Sequence, residues 1–225
     1  MISFQNVSVT YPFGKTALDA LSFDIEDNEF VYLVGPSGAG KTTLLRLLLN
    51  DVLPTEGSIS ILDKEITSKK LKDPASLRQS IGVVFQDFKV LTDDTIFENI
   101  ALSMKVKGFN DKEIRSEVDR ALDLTGISDK TNKFPAQLSA GEIQRVAIAR
   151  AIVGDRPIIL ADEPTGNLDP KTTWEIMDIF KKLEKTRTII FATHNTDIVN
   201  SMKRRVLVLK DGKLVSDKKK GGYTI

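Results

Sequence analysis

Short runs in which apolar residues alternate with polar ones, or follow one another without interruption, recur at 2–10, 20–25, 30–34, 58–62, 81–85, 158–161, 188–192 and 206–209. Turn-forming residues bound each run, so all eight read as strands. Helical patterns lie between several of them. Lys41 to Leu49 is one, stopping near Asn50 and Asp51. Asn110 and Glu113 form a capping-box pattern, followed by Ile114, Val118, Ala121 and Leu122 at helical spacing. Residues 88–138 contain no strand pattern, whereas both flanks alternate strand and helix as a parallel sheet requires. The pattern predicts an α/β core with an inserted helical lobe. Near the end, Asp211-Gly212 between two apolar runs predicts a hairpin.

Composition narrows the function. The 225 residues suit one large α/β domain, or a compact domain with a smaller inserted lobe. Lys plus Arg number 32 against 31 Asp plus Glu, a formal charge of +1. So balanced a chain offers no global field for a nucleic-acid backbone, and no nucleic-acid partner is expected. Cysteine is absent, which excludes a disulfide-linked partner and thiolate chemistry and suits a reducing compartment. Met1 to Asn6 carry neither a basic segment nor an apolar core, so no secretory leader is expected. No apolar run approaches the roughly 18 residues a bilayer span needs, and any membrane role is expected to come through a partner. The basic clusters at 203–205 and 218–220 read as solvated surface, with weak attraction to anionic lipid as the sharper alternative.

The strongest chemical signal follows the run 30–34. Gly35, Pro36, Ser37, Gly38, Ala39, Gly40, Lys41 and Thr42 match the phosphate-binding loop, and they stand between a strand and a helix as that loop requires. Glycines let main-chain N–H groups turn toward phosphate oxygens, and the helix start adds its positive end. Lys41 neutralises β and γ phosphates, and the Thr42 hydroxyl is offered to Mg²⁺. The expected ligand is ATP with Mg²⁺.

The run 158–161 ends in Asp162-Glu163-Pro164, two carboxylates at a strand end, where a doubly wound sheet places its ligands. Asp162 is the expected Mg²⁺ ligand, and Glu163 the group that orients and deprotonates the attacking water. Four further positions have two readings each. His194, the single histidine, is either a helix-start residue or an imidazole that reaches the γ phosphate. Gln86 is either a turn amide or a sensor of Mg²⁺ and γ phosphate. Tyr11, before Pro12 and Gly14, is either a strand residue or a platform for a base. Ser139 with Glu142 is a capping box, and the same helix start is also an anion site that a second subunit's phosphate can use.

Taken in order, these segments resemble the ATP-binding subunits of the ABC superfamily over nearly the whole chain. The resemblance implies that Tyr11 stacks on the base, that Gly35 through Thr43 form the Walker A loop, and that Gln86 is the Q-loop residue facing γ phosphate and Mg²⁺. It also implies that Leu138 to Glu142 are the signature, 158–162 Walker B, Glu163 the catalytic base, Asn167 to Asp169 the D-loop and His194 the switch histidine. Asp169 before Pro170 also suits a helix cap on its own account. The implied fold is a P-loop NTPase core with a parallel sheet, antiparallel β elements and an inserted helical subdomain at 88–138, within one domain spanning 1–225. The implied assembly is a homodimer formed on ATP binding, with Ser139 and Gly141 acting in trans, on the cytoplasmic face of a membrane through an integral membrane partner. Phe85 to Phe88, Phe134 to Ser139 and Glu163 to Asp169 place the resemblance with the cell-division group. The last of these stretches is shared with lipoprotein-release and macrolide-export types, which stand as the alternative. Ala140 replaces the usual glycine and Glu142 the usual glutamine of the signature. A nucleotide-gated module with negligible turnover is disfavoured by Glu163 and His194. A DNA-bound ABC ATPase is disfavoured because the spacing from Lys41 to Ser139 leaves no room for a long coiled coil, and a P-loop kinase leaves the signature unexplained.

Overall fold

In the computed structural model, which describes residues 1–12, 14–67 and 73–223, the chain divides into two units: Met1–Arg78 with Thr188–Ile225, and Gln79–Arg187. The first unit opens with β1 (Ile2–Thr10) and β2 (Thr16–Ile25), antiparallel neighbours with Ile2 opposite Ile25. In β1, Ile2, Phe4, Val7 and Val9 are buried. That changes the alternation by one residue at Asn6, where φ is 48 and the register shifts. Ala20, with φ 49, makes the matching shift in β2. The second strand therefore begins at Thr16 and not at residue 20: Leu18 and Leu21 are both buried, on either side of a break that interrupts the period of two. Phe4 and Phe23 stack across the pair with ring centroids 4.6 Å apart.

Strands β4 (Glu56–Ile61) and β5 (Lys64–Glu65) complete this sheet in the order β2-β1-β4-β5. The turn into β5 places Leu62 and Asp63 at φ 49 and 60. That is a primed hairpin turn made without Gly or Asn, so its sequence carries no hairpin signal. By contrast, Asp211 and Gly212, at φ 49 and 78, form the expected turn between β9 (Arg205–Lys210) and β10 (Lys213–Lys218).

All five residues of β3 (Phe30–Val34) are buried. It pairs in parallel with β8 (Thr188–Ala192) on one side and with β9 on the other, and β10 adds antiparallel to β9. An uninterrupted apolar run is what a strand covered on both faces requires. Helix α1 (Lys41–Leu48) follows β3 and buries Leu44, Leu45, Leu47 and Leu48. Eight residues are too few for an independent helix. Burial of the leucines, roughly 1.5–3 kcal/mol each, holds it in place.

In the second unit β6 (Ile81–Phe85) and β7 (Ile158–Asp162) run parallel, with Ile81 opposite Ile158 and Phe85 opposite Asp162. A short helix, α2 (Pro74–Gln79), leads into β6. Helices α3 (Ile96–Val106) and α4 (Asp111–Thr125) each begin with a capping box, Thr95 with Glu98 and Asn110 with Glu113. Gly126 ends α4 at φ 70. Helix α5 (Ala140–Ile152) starts from Ser139, and α6 (Pro170–Leu183) from Asp169 with Pro170 at its first position. Helix α5 lies so close to β6 that a Cβ on Gly82 would come within 2.0 Å of the Ala151 carbonyl oxygen. Helix α7 (Thr196–Met202), in the first unit, is capped by Asn195. The chain is a mixed α/β protein with parallel and antiparallel strands.

Candidate functional site

The loop between β3 and α1 owes its shape to two glycines. Gly35 has φ 153, and a Cβ there would stand 2.2 Å from the Leu209 carbonyl oxygen; Gly40 has φ 107, and its Cβ would meet the Ala17 carbonyl oxygen at 2.7 Å. Only glycine combines such backbone angles with so close an approach. Gly40 is also the N-cap of α1, so the helix has no side-chain cap, and no acidic residue stands in its first turn. Helices α3 to α7, by contrast, all carry side-chain caps. The start of α1 is thus left open to an anion.

Pro36, Ser37 and Gly38 are exposed around this opening, whereas Ala39 is buried beneath it. Lys41 folds over the loop, its Nζ donating to the carbonyls of Gly35 at 2.6 Å and Pro36 at 3.2 Å. Thr42 is exposed at the second helical position. The Thr43 hydroxyl lies 3.4 Å from that of Tyr11, which holds the aromatic ring beside the helix that carries the loop. His194 belongs to the same unit. Leu33 stands opposite Ala192, and the Thr193 amide donates to the Leu33 carbonyl at 3.1 Å. His194 therefore leaves β8 at the end where β3 enters the glycine-rich loop at 35–40, with its surface exposed.

The second unit brings together the other candidates. Because Phe85 is opposite Asp162, Gln86 and Glu163 emerge side by side from neighbouring strand ends. Glu163 has φ 48, an uncommon backbone angle for a residue with a side chain. Nε2 of Gln86 donates to Oδ1 of Asn167, and Nδ2 of Asn167 returns a bond to the Gln86 carbonyl. Phe88 and Lys89, just beyond Gln86, both have left-handed φ, 59 and 51. Arg150, on α5, donates to both their carbonyls, at 2.9 and 2.6 Å. Burial lowers this guanidinium's pKa from its ordinary value.

At the other end of α5, Ser139 N and Oγ both donate to Glu142 Oε2, at 2.8 and 2.9 Å, and Glu142 N donates back to Ser139 Oγ. Lys130 reaches Glu142 Oε1 at 3.3 Å. The main-chain bond from Ser139, followed by its hydroxyl bond, holds the Glu142 carboxyl below its ordinary range, against a smaller opposing effect of burial and with help from Lys130. A Cβ on Gly141 would meet Thr172 Cγ2 at 2.5 Å, so this glycine also lets α5 pack on the start of α6. The sequence did not single out Gln144, Arg150 or Lys130. A lone glutamine among Val146, Ala147, Ile148 and Ala149 was the available signal for the first of them.

Among the described residues no three His, Cys, Asp or Glu gather in one group. In the second unit the Asp162 carboxylate and Oε1 of Gln86, whose nitrogen is committed to Asn167, stand at neighbouring strand ends. Such hard oxygen donors, few in number, suit Mg²⁺ shared with phosphate oxygens.

Residues 18–166 match the family model described as ABC transporter. The cell division ATP-binding protein FtsE of Streptococcus pneumoniae serotype 2 (strain D39) is 46% identical over 224 residues, covering 99% of this chain and 97% of that protein. The FtsE of Bacillus subtilis (strain 168) is also 46% identical, covering 99% of this chain and 98% of its own length. A solved structure of the ATP-binding cassette MJ0796, a dimeric post-hydrolysis state bound to ADP and Pi, superposes with a TM-score of 0.87 at 35% identity, covering 99% of this chain and all of that one. An uncapped glycine loop ahead of α1, two acids at the end of β7 and likeness along nearly the entire length lead to one assignment: the chain belongs to the ABC transporter family, among its ATP-binding cassettes.

Proposed function

We propose that two copies of this chain close head to tail on two molecules of Mg-ATP and reopen when the ATP is hydrolysed. The chain is the ATP-hydrolysing subunit of an ABC-type complex, FtsE-like and serving cell division. The finer reading is that its partner is an FtsX-like integral membrane protein on whose cytoplasmic side it sits, and that the output is control of cell-wall hydrolysis. Residues 88–138 form the inserted helical subdomain. Among the described residues no helix is long and apolar enough to cross a membrane.

The observation that carries the reading is the register of Phe85 against Asp162, which sets Gln86 beside the Asp162-Glu163 pair. Gly35 to Thr43 bind the phosphates through main-chain amides and Lys41, and Tyr11 stacks on the adenine. Thr42, Asp162 and Gln86 hold Mg²⁺, which when bound draws charge from the phosphate oxygens. Glu163 orients the attacking water and takes its proton, and His194 steadies the γ phosphate. Ser139 and Gly141 meet the γ phosphate of the other copy.

The test is Glu163→Gln, which retains ATP binding and loses steady-state phosphate release, since an amide cannot accept the proton. Hydrolysis at the wild-type rate in this variant would remove Glu163 from the role of base. Co-purification from membranes, with identification of the bound integral protein, tests the partner.

A further inference from the structure

Gln144 lies on the inner face of α5 with none of its surface exposed. Its Nε2 donates to the main-chain carbonyl of Pro164 at 2.6 Å, whereas its Oε1 is buried without a partner. A carbonyl can only accept, so the nitrogen must be the end that faces Pro164. An unpaired buried acceptor destabilises the fold and offsets what the single bond to Pro164 contributes. Stability of α5 is therefore a poor account of Gln144.

The bond it makes explains more. Pro164 follows Glu163, whose φ of 48 is left-handed. Residues with a side chain avoid that region, and a residue before proline is further pushed toward extended backbone. Two preferences are overruled at one position, so the surroundings must hold it. Gly166 N donates to the Glu163 carbonyl at 3.0 Å on the solvent side of the turn, and Gln144 grips the next carbonyl from within. The same helix starts at Ser139 and reaches the turn after Gln86 through Arg150.

We infer that Gln144 is a positioning residue: from the signature helix it locks the Glu163-Pro164 turn, and so sets the direction in which Glu163 presents its carboxylate. The inference rests on the proposed role of Glu163 as base.

Two variants test it. Gln144→Met removes the donor and the orphaned acceptor while keeping the volume. It is expected to lower kcat on the order of 10- to 100-fold, the cost of a small misplacement of a reacting group. The KM for ATP should stay within about twofold, with a melting temperature close to wild type, since the Pro164 carbonyl left without its donor offsets the removal of the unpaired Oε1. Gln144→Glu can supply the missing donor, because a buried carboxyl stays protonated above its usual range and its O–H can reach the Pro164 carbonyl. Its kcat relative to wild type should be near normal at low pH and fall as pH rises and the group ionises. That of Gln144→Met should be low throughout.

A wild-type kcat in Gln144→Met overturns the proposal. So does a joint loss of kcat, ATP affinity and melting temperature, or a Gln144→Glu variant whose ratio to wild type does not change with pH. Should Gln144→Met fail to fold, the pH profile of Gln144→Glu decides alone. Glu163→Gln is assayed in parallel. Hydrolysis by that variant overturns the base assignment and this inference with it, whereas an inactive Glu163→Gln beside a fully active Gln144→Met overturns the inference only.

Discussion

Gln86 and Asn167 bind each other in both directions: Nε2 of Gln86 donates to Oδ1 of Asn167 at 3.2 Å, and Nδ2 of Asn167 donates to the Gln86 carbonyl at 3.3 Å. Gly166 packs beside the same amide, and a Cβ there would stand 3.1 Å from Gln86 Nε2. The residue expected to face Mg²⁺ is thus aimed by the loop that follows the expected base.

Asn167→Ala removes both bonds and leaves the Gln86 side chain free to turn. A typical hydrogen bond contributes about 1 kcal/mol, equivalent to roughly fivefold in rate. The expected result is a kcat lowered by about that factor, with ATP affinity unchanged because the phosphate loop is untouched. Steady-state phosphate release and equilibrium nucleotide binding check it, and an affinity loss equal to the rate loss would contradict it.

What the chain discloses on reading depends on how local the cause is. The shape of the loop between β3 and α1 was legible because Gly35 and Gly40 dictate their backbone within a few residues. The caps at Asn110, Ser139 and Asp169 were legible for the same reason. The early start of β2 was hidden by the break in period at Ala20, and β5 by a turn at Leu62-Asp63 whose first position is a leucine and which has no glycine. Bonds such as Gln86 to Asn167, or Gln144 to Pro164, join positions far apart in the chain and leave no periodic trace.

Tyr11 offers a test of base recognition. Tyr11→Ala should weaken adenine nucleotides by about 1–3 kcal/mol, the usual worth of stacking on a base, and leave inorganic triphosphate nearly unaffected. Tyr11→Phe keeps the ring and loses the hydroxyl's contacts with Thr43, at 3.4 Å, and with Arg46, so its loss should be small for both ligands. Competition binding with ATP and triphosphate measures this. Equal losses for both in Tyr11→Ala would make Tyr11 a structural residue.

Glu142 gives helix α5 a dependence on acid. Ser139, through its amide and then its hydroxyl, holds the carboxyl below its ordinary range. The folded value is therefore below the unfolded one of about 4.3. The stabilisation from the charged form is complete above the unfolded value and disappears as pH falls through the folded value. Glu142→Gln retains a capping-box residue but not the charge. Its stability difference from wild type should be constant above about pH 5 and shrink toward zero in more acidic solution. Chemical denaturation at a series of pH values reads the difference, and a gap that widens in acid would refute the sign.

The last prediction separates a head-to-tail pair from a hydrolase that works alone. In the proposed dimer Gly141 of one copy faces the γ phosphate held by Lys41 of the other, and an aspartate there adds like charge and bulk where a phosphate must approach. Gly141 also has a duty within its own chain, since an added Cβ would meet Thr172 Cγ2 at 2.5 Å. A control must remove that effect. Gly141→Ala in a Thr172→Ser background relieves the methyl contact without adding charge, and it should keep ATP-dependent dimerisation closer to wild type than Gly141→Asp does. Mixing Lys41→Ala with Gly141→Asp then distinguishes trans from cis. Head-to-tail pairing puts both defects in one composite site and neither in the other, so phosphate release should recover part of the wild-type rate, provided one intact site suffices. If Gly141→Asp damaged only its own subunit, each site in the mixture would keep a defect and no activity would return. Dimerisation in a Glu163→Gln background, followed by light scattering, gives the same answer without turnover. If adding Gly141→Asp to that background left ATP-dependent association unchanged, the signature assignment would be wrong.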